Sequence, residues 1–198
     1  MGAVIAMREN AQYRPQPFAP PFLRTDGVVL GQTAVICKYI AERHGFAPSD
    51  DLGRAHAQQL MMMTVLDAVD DVHDTHHPLS VSLTFEEQQE AAIIAGHAFA
   101  DSRLLVWLAY FYRLLSGHEP WLLGAAPCYA DLGLFQLVAG LQYAFPKATA
   151  RALAQLPGVV SLHRCVQALP AIARYLSSPA RLEFNEHGIF RHYAALDQ

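Results

Sequence analysis

Only one short stretch of this chain can form paired strands, and that limits its sheet to a remnant. Phe22-Leu23 and Val28-Val29-Leu30 are apolar runs on either side of Arg24-Thr25-Asp26-Gly27. An Asp-Gly pair between apolar runs is a hairpin signal. Gly31-Gln32-Thr33 then opens a helix whose Val35, Ile36, Tyr39 and Ile40 recur at helical spacing, with Gly45 as its natural stop. "GFAPSDD", residues 45 to 51, reads as a linker. Beyond it no strand-like alternation persists. Helices are expected over about 52–77, ended by Pro78; over about 84–116, with Glu86 and Glu87 in the first turn; and from Cys128 to just before Pro146. Shorter helices follow over about 148–154 and 159–168, then "PAIARYLSS". "GAVIAMRENA" near the start reads as one helical segment broken by "YRPQP", and residues 179–198 are expected to lie over the surface. The fold class is therefore mostly α: a β-β-α unit over residues 1–46, followed by an all-helical domain over 47–198.

Composition supports a packed core and excludes some functions. Hydrophobic residues make up 53% of the 198 and charged residues 16%. The net charge is −4, and the 14 basic residues are scattered, so no nucleic-acid footprint is present. Cys37, Cys128 and Cys165 show no repeated spacing, which argues against a disulfide framework or a zinc site and for a reducing compartment. The first ten residues do not resemble a signal peptide. The longest apolar run, Leu104 to Tyr112, is about half of the ~20 residues a spanning helix needs. A cytoplasmic protein with no membrane or nucleic-acid partner is expected.

Several residues have chemistry suited to a site. Gln32-Thr33 stand where free helix amides and the positive dipole end suit a carboxylate, although Thr33 could instead cap its own helix. Pro20-Pro21, ahead of a strand, is a setting for a cis peptide bond. Cys128 and Asp131 have capping-box spacing with a thiol in place of the hydroxyl, a structural role. Asp67, Asp70, Asp71 and Asp74 line the first long helix and could form only a solvated acidic face. His73, His76 and His77 lie within one turn, so metal binding is a lesser alternative, but the pattern lacks the HExxH form and no metal ligand is assigned. Of Met61-Met62-Met63, at most two can face a pocket, and core packing is the plainer reading.

Taken in order, these segments resemble the cytosolic glutathione transferases. Proline-hydrophobic-Leu, a Gly turn, a short strand, Gln-Thr and a helix are similar to the second half of that family's thioredoxin-like domain. "WLLGAAPCYADLGLF" (121–135) resembles the start of its central helix, and "LPGVVSLHRCVQALPAIARYLSS" (156–178) the stretch that follows. The likeness runs over about residues 18–185. It implies a truncated thioredoxin-like unit joined to the family's helical domain. It implies that Pro21 is the cis-proline and that the residue before it offers its N–H and C=O to the cysteine part of glutathione. That residue here is Pro20, which has no N–H. It also implies that Gln32 and Thr33 hold the γ-glutamyl carboxylate and that Asp67 reaches across a homodimer to the glutathione amino group. Glutathione would be a co-substrate, with no resident cofactor.

The resemblance implies that the leading β-α-β is absent from this chain, since 17 residues precede Phe18. The Tyr, Ser or Cys that lowers the thiol pKa from about 8.5 would lie in that part. Tyr13 sits in a Pro-flanked loop and is not a counterpart. Two functions follow. One is a transferase conjugating glutathione to a small apolar electrophile, held against the first two long helices, if the leading segment is supplied. The other is a non-catalytic, glutathione- or ligand-binding or dimerising protein.

Overall fold

The hairpin closes tightly because its two central residues tolerate left-handed backbone. In the computed structural model of the protein, which describes residues 2–115, 117 and 120–198, β1 (Leu23–Thr25) and β2 (Val28–Leu30) pair antiparallel with Thr25 opposite Val28. Asp26 and Gly27 have φ of 47° and 78°, as a two-residue type I′ turn requires. The strand starts one residue later than expected, at Leu23, and Arg24 and Thr25 join the ladder instead of the turn. A short helix, α1 (Gly2–Arg8), precedes the hairpin, and α2 (Thr33–Arg43) follows it. Gly45 ends α2 as anticipated: its φ is 72°, and the Phe46 N–H reaches Ala41 O at 2.9 Å.

The first long helix is one rod with a widened turn inside it. α3 (Asp51–Met62) starts at Asp50, whose carboxylate accepts the Gly53 N–H at 2.8 Å. A π turn over Met63–Asp67 leads into α4 (Ala68–His76). The second rod repeats the device, with α5 (Gln89–Ala98), a π turn over Phe99–Arg103 and α6 (Leu104–Leu114). Its start is fixed near Thr84, whose N–H meets Glu87 Oε2 at 2.7 Å while its hydroxyl accepts the Glu87 N–H at 3.4 Å. The end anticipated near Ser116 falls outside the described residues. By length and composition alone, Glu86–Leu114 could span a membrane; here it buries Leu104, Leu108 and Phe111 in the bundle.

α7 (Tyr129–Ala144) is the core helix, with 10 of its 16 residues buried along one broad face. It packs against α3, α8 (Pro146–Leu153) and α9 (Pro157–Ala168), while α10 (Pro170–Leu176) leans on α9. These three shorter helices each begin on a proline at the first helical position, where a missing N–H costs nothing. The capping box at the start of α7 is formed. Asp131, fully buried, accepts the Cys128 N–H at 2.7 Å and the Leu122 N–H at 2.9 Å, and the Cys128 thiol turns to the Asp131 N–H. Burial, then the Asp131 charge, pushes the Cys128 thiol up to about 12, so it stays protonated and inert.

The C-terminal tail lies over the surface as the sequence suggested as far as Ile189, but its last residues are anchored in the core. Phe190, Leu196 and Asp197 are buried. Gly140 leaves a notch in α7 that the Phe190 ring fills, and Gly96 on α5 does the same for Leu196. Asp197 caps α8, accepting N–H groups from Lys147 at 2.7 Å and Ala148 at 2.9 Å.

Replacing the weak thiol cap by a hydroxyl strengthens the box: Cys128→Ser is expected to raise stability by up to ~1 kcal/mol. A thermal melt with no gain, or a loss, would count against the thiol's capping role.

Candidate functional site

The start of α2 has no side-chain cap. Gln32 occupies the N-cap position with φ 68°, and its side chain makes no capping bond. Thr33 is the first helical residue, so it does not cap its own helix. The first bond of the helix runs from the Ile36 N–H to Gln32 O at 3.0 Å. The amides of Thr33, Ala34 and Val35 therefore precede any intrahelical partner, at the positive end of an 11-residue dipole. Thr33 and Gln32 are both exposed.

Thr33 stands on the rim of a cavity of about 400 Å³. One wall is a face of α2: Thr33, Cys37, Ile40, Ala41 and His44. Facing it are Met61 and Val65 of the first rod, Tyr129, Leu132 and Gly133 of α7, and Ile172 of α10. The lining is overwhelmingly apolar, and the volume falls in the range of small-molecule sites. Gly133 makes the geometry possible: a Cβ there would stand 2.8 Å from the Met61 sulfur, so only glycine lets α7 approach the first rod this closely. The thiol and the phenol in the cavity are poor nucleophiles. Burial raises the Cys37 pKa, and burial with nearby Cys128 pushes Tyr129 up to about 12 while its hydroxyl donates to Gln58 Oε1 at 3.3 Å.

The other expected residues are placed apart from this cavity. The Pro20–Pro21 peptide is cis, and both residues are exposed. Asp67 is exposed at the end of the first π turn. None of Pro20, Pro21, Gln32 and Asp67 lines the cavity. Of the first two long helices, against which an electrophile was expected, only the first walls this cavity, through Met61 and Val65; the other walls are α2, α7 and α10.

Comparison with known proteins agrees with this architecture. Residues 73–179, more than half of the chain, match the family model for the glutathione S-transferase C-terminal domain. The chain belongs to the glutathione S-transferase family. A curated glutathione S-transferase of Plasmodium yoelii yoelii is 21% identical over 159 residues, which cover 80% of this chain and 67% of that protein. Among solved structures, rat hPGDS complexed with a quinoline superposes with a TM-score of 0.63 at 21% identity, covering 79% of this chain and 71% of that one. NaGST-2 gives a TM-score of 0.60 at 18% identity, covering 84% and 76%. At these identities the structural likeness shows the fold.

Within this glutathione S-transferase fold, the acidic and histidine clusters have structural partners. Asp71 Oδ2 accepts from Arg103 Nε at 2.6 Å and Trp107 Nε1 at 2.7 Å, tying α4 to the second rod. Asp74 pairs with His73 at 3.3 Å, while Asp67 and Asp70 face solvent. His76 Nε2 donates to Ile189 O at 2.8 Å, and His77 lies between Gln88 and Arg191. Among the described residues no group of three or more His, Cys, Asp or Glu could hold a metal ion. Sequence reasoning missed Cys37, Ile40 and His44 as cavity residues, although their spacing from Thr33 (four, seven and eleven residues) is one helical face. Met61 is both buried and part of the lining, while Met62 is exposed.

Gly133→Ala is expected to cost ~1–3 kcal/mol by forcing α7 off the first rod. Urea titration reads this; a midpoint shifted by less than the measurement error would show that the contact can relax freely.

Proposed function

We propose that this chain binds glutathione at the start of α2 and an apolar co-substrate in the adjoining cavity, as a glutathione transferase whose thiol-activating group comes from a leading segment. The observation that carries the reading is the uncapped N-terminus of α2 opening onto an apolar cavity through Thr33. The γ-glutamyl carboxylate would meet the free amides and the Thr33 hydroxyl, where backbone donors and the dipole favour an anion. The body of the electrophile would lie between α2 and α7, against Ile40, Met61 and Leu132. Pro21 would align the cysteine part through a carbonyl contact from Pro20 alone. Asp67 would act across a homodimer, for which exposed Met62 and Leu66, one turn apart on the first rod, supply apolar surface. The reading retains glutathione as co-substrate and the cytoplasm as compartment.

A leading strand and helix, where supplied, would pair with the free edge of β1 and bring the residue that stabilises the thiolate. Without it the thiol and phenol of the cavity, Cys37 and Tyr129, are both held protonated. That favours a second reading: a non-catalytic protein that stores an apolar ligand or glutathione. Turnover of an aryl chloride with glutathione, measured with the leading segment supplied, separates the two, since only the transferase consumes thiol.

Calorimetry with glutathione tests the site. Binding is expected for the wild type, weakened about tenfold by Thr33→Ala through loss of a hydrogen bond to a charged group. No heat at millimolar ligand would sink the glutathione reading and leave the ligand-storage one.

A further inference from the structure

The C-terminal tail is held to the bundle by histidines from both sides. Ile189 O accepts from His76 Nε2 at 2.8 Å, and Ala195 O pairs with His97 Nε2 at 3.0 Å. Arg191 Nη1 lies 3.1 Å from His77 Nε2, and the His192 ring meets Ala144 O at 3.2 Å. Tyr193 stacks flat on Phe85, with ring centroids 3.8 Å apart. The tail is therefore fixed at the corner where α4 meets the second rod.

Two of these histidines are disfavoured from taking a proton in place. His76 is 1% exposed, and its Nδ1 is buried with no hydrogen-bond partner. A proton there would be a buried charge without an acceptor. His77 faces donors on both ring nitrogens: Gln88 Nε2 is 3.1 Å from Nδ1, and Arg191 Nη1 is 3.1 Å from Nε2. Gln88 cannot turn its oxygen to the ring, because that oxygen accepts the Leu79 N–H at 3.0 Å and the Ser80 N–H at 3.4 Å. A neutral imidazole can accept from one of the two donors, and an imidazolium from neither.

The surroundings supply no counter-charge. On α4 itself the neighbours are His73, its ring centroid 5.2 Å from His76 and 5.0 Å from His77, and Asp74, which is exposed and bonded to His73. The tail contributes Arg191 and Tyr193. The 78–88 turn contributes neutral Gln88, its Glu87 being engaged by Thr84, and the Ser80 and Leu83 carbonyls, whose pull toward a charged His77 is outweighed by burial and Arg191. Among the described residues neither His76 nor His77 pairs with a carboxylate.

We propose that residues 189–197 are an acid-released strap: protonation of His76 and His77 expels Ile189 and Arg191 from this corner while the helical bundle stays folded. Release matters for access to the interior. Phe190 leaves its notch in α7 and takes with it the edge contact to Phe184, whose ring centroid is 5.9 Å away. Phe184, Arg181 and Leu182 wall a second cavity of about 380 Å³, which shares Leu132, Gln136 and Ile172 with the cavity beside α2. Acid would thus open a side entrance to the same interior.

Burial, reinforced by Arg191, lowers the His76 pKa to about 4, and burial and Arg191 lower that of His77. A released imidazole returns to about 6.5. The open state binds more protons, so closure is fully favoured above about pH 6.5 and is lost as pH falls toward about 4. From His76 alone, the opening equilibrium rises about thirtyfold between about pH 7.5 and about pH 5.

Amide exchange followed by NMR tests this, after correction for intrinsic rates. The Leu196 amide, bonded to Tyr193 O at 2.9 Å, is expected to lose protection about thirtyfold over that range. The Leu137 amide in α7 should keep its protection. In the His76→Gln, His77→Gln double variant the Leu196 amide should show the same protection at both pH values. The strap is overturned if Leu196 and Leu137 lose protection together, if Leu196 does not respond, or if the double variant responds as the wild type does. Where the variant does not fold, the wild-type comparison decides alone.

Discussion

The structure depends on how the buried N-terminus of α7 satisfies its donors. A helix start inside a core leaves amides without intrahelical partners, and each would be costly if left bare. Phe46 O takes the Tyr129 N–H at 2.9 Å, and the Asp131 carboxylate takes those of Cys128 and Leu122. Burial pushes the Asp131 pKa up, against the pull of these two donors. The Phe46 contact also ties the end of the β-β-α unit to the core helix, so α2 is held where α7 holds it. From that fixed start α7 provides the cavity wall at Tyr129, Leu132 and Gly133, and eleven residues after Tyr129 the Gly140 notch that seats the tail.

The sequence made this core legible because its signals were local. Asp26-Gly27 specified a two-residue turn, Gly45 an αL stop, and Cys128 with Asp131 a box at one helix start. Pro170 opens its helix as read, while the helices expected from 148 and 159 begin two residues earlier, on Pro146 and Pro157. What was hidden depends on contacts distant in sequence. The π turns at 63–67 and 99–103 leave the apolar period intact. The burial of Phe190 and Leu196 follows from glycines on two other helices, and residues 179–198 have no period to betray it.

The candidate site was legible only in part, for the same reason. Thr33 was identified from helix-start chemistry, and its placement as the first helical residue removes the self-capping alternative. Cys37, Ile40 and His44 share its face, but the α7 and α10 residues that complete the cavity are about 100 to 140 residues away in sequence. Read as spacing alone, the histidine cluster offered metal binding as a lesser alternative. In space His76 Nε2 faces a backbone carbonyl and the His77 nitrogens face an amide and a guanidinium, so these two belong to the tail's attachment.

The account rests on the free amides of α2 being an anion site that opens onto an apolar cavity. Amide chemical shifts of a ¹⁵N-labelled chain during titration with glutathione examine that directly. The account predicts the largest changes at Thr33, Ala34 and Val35, with smaller ones at Cys37 and Tyr129. Saturable shifts centred elsewhere, with Thr33 and Ala34 unmoved, would contradict it.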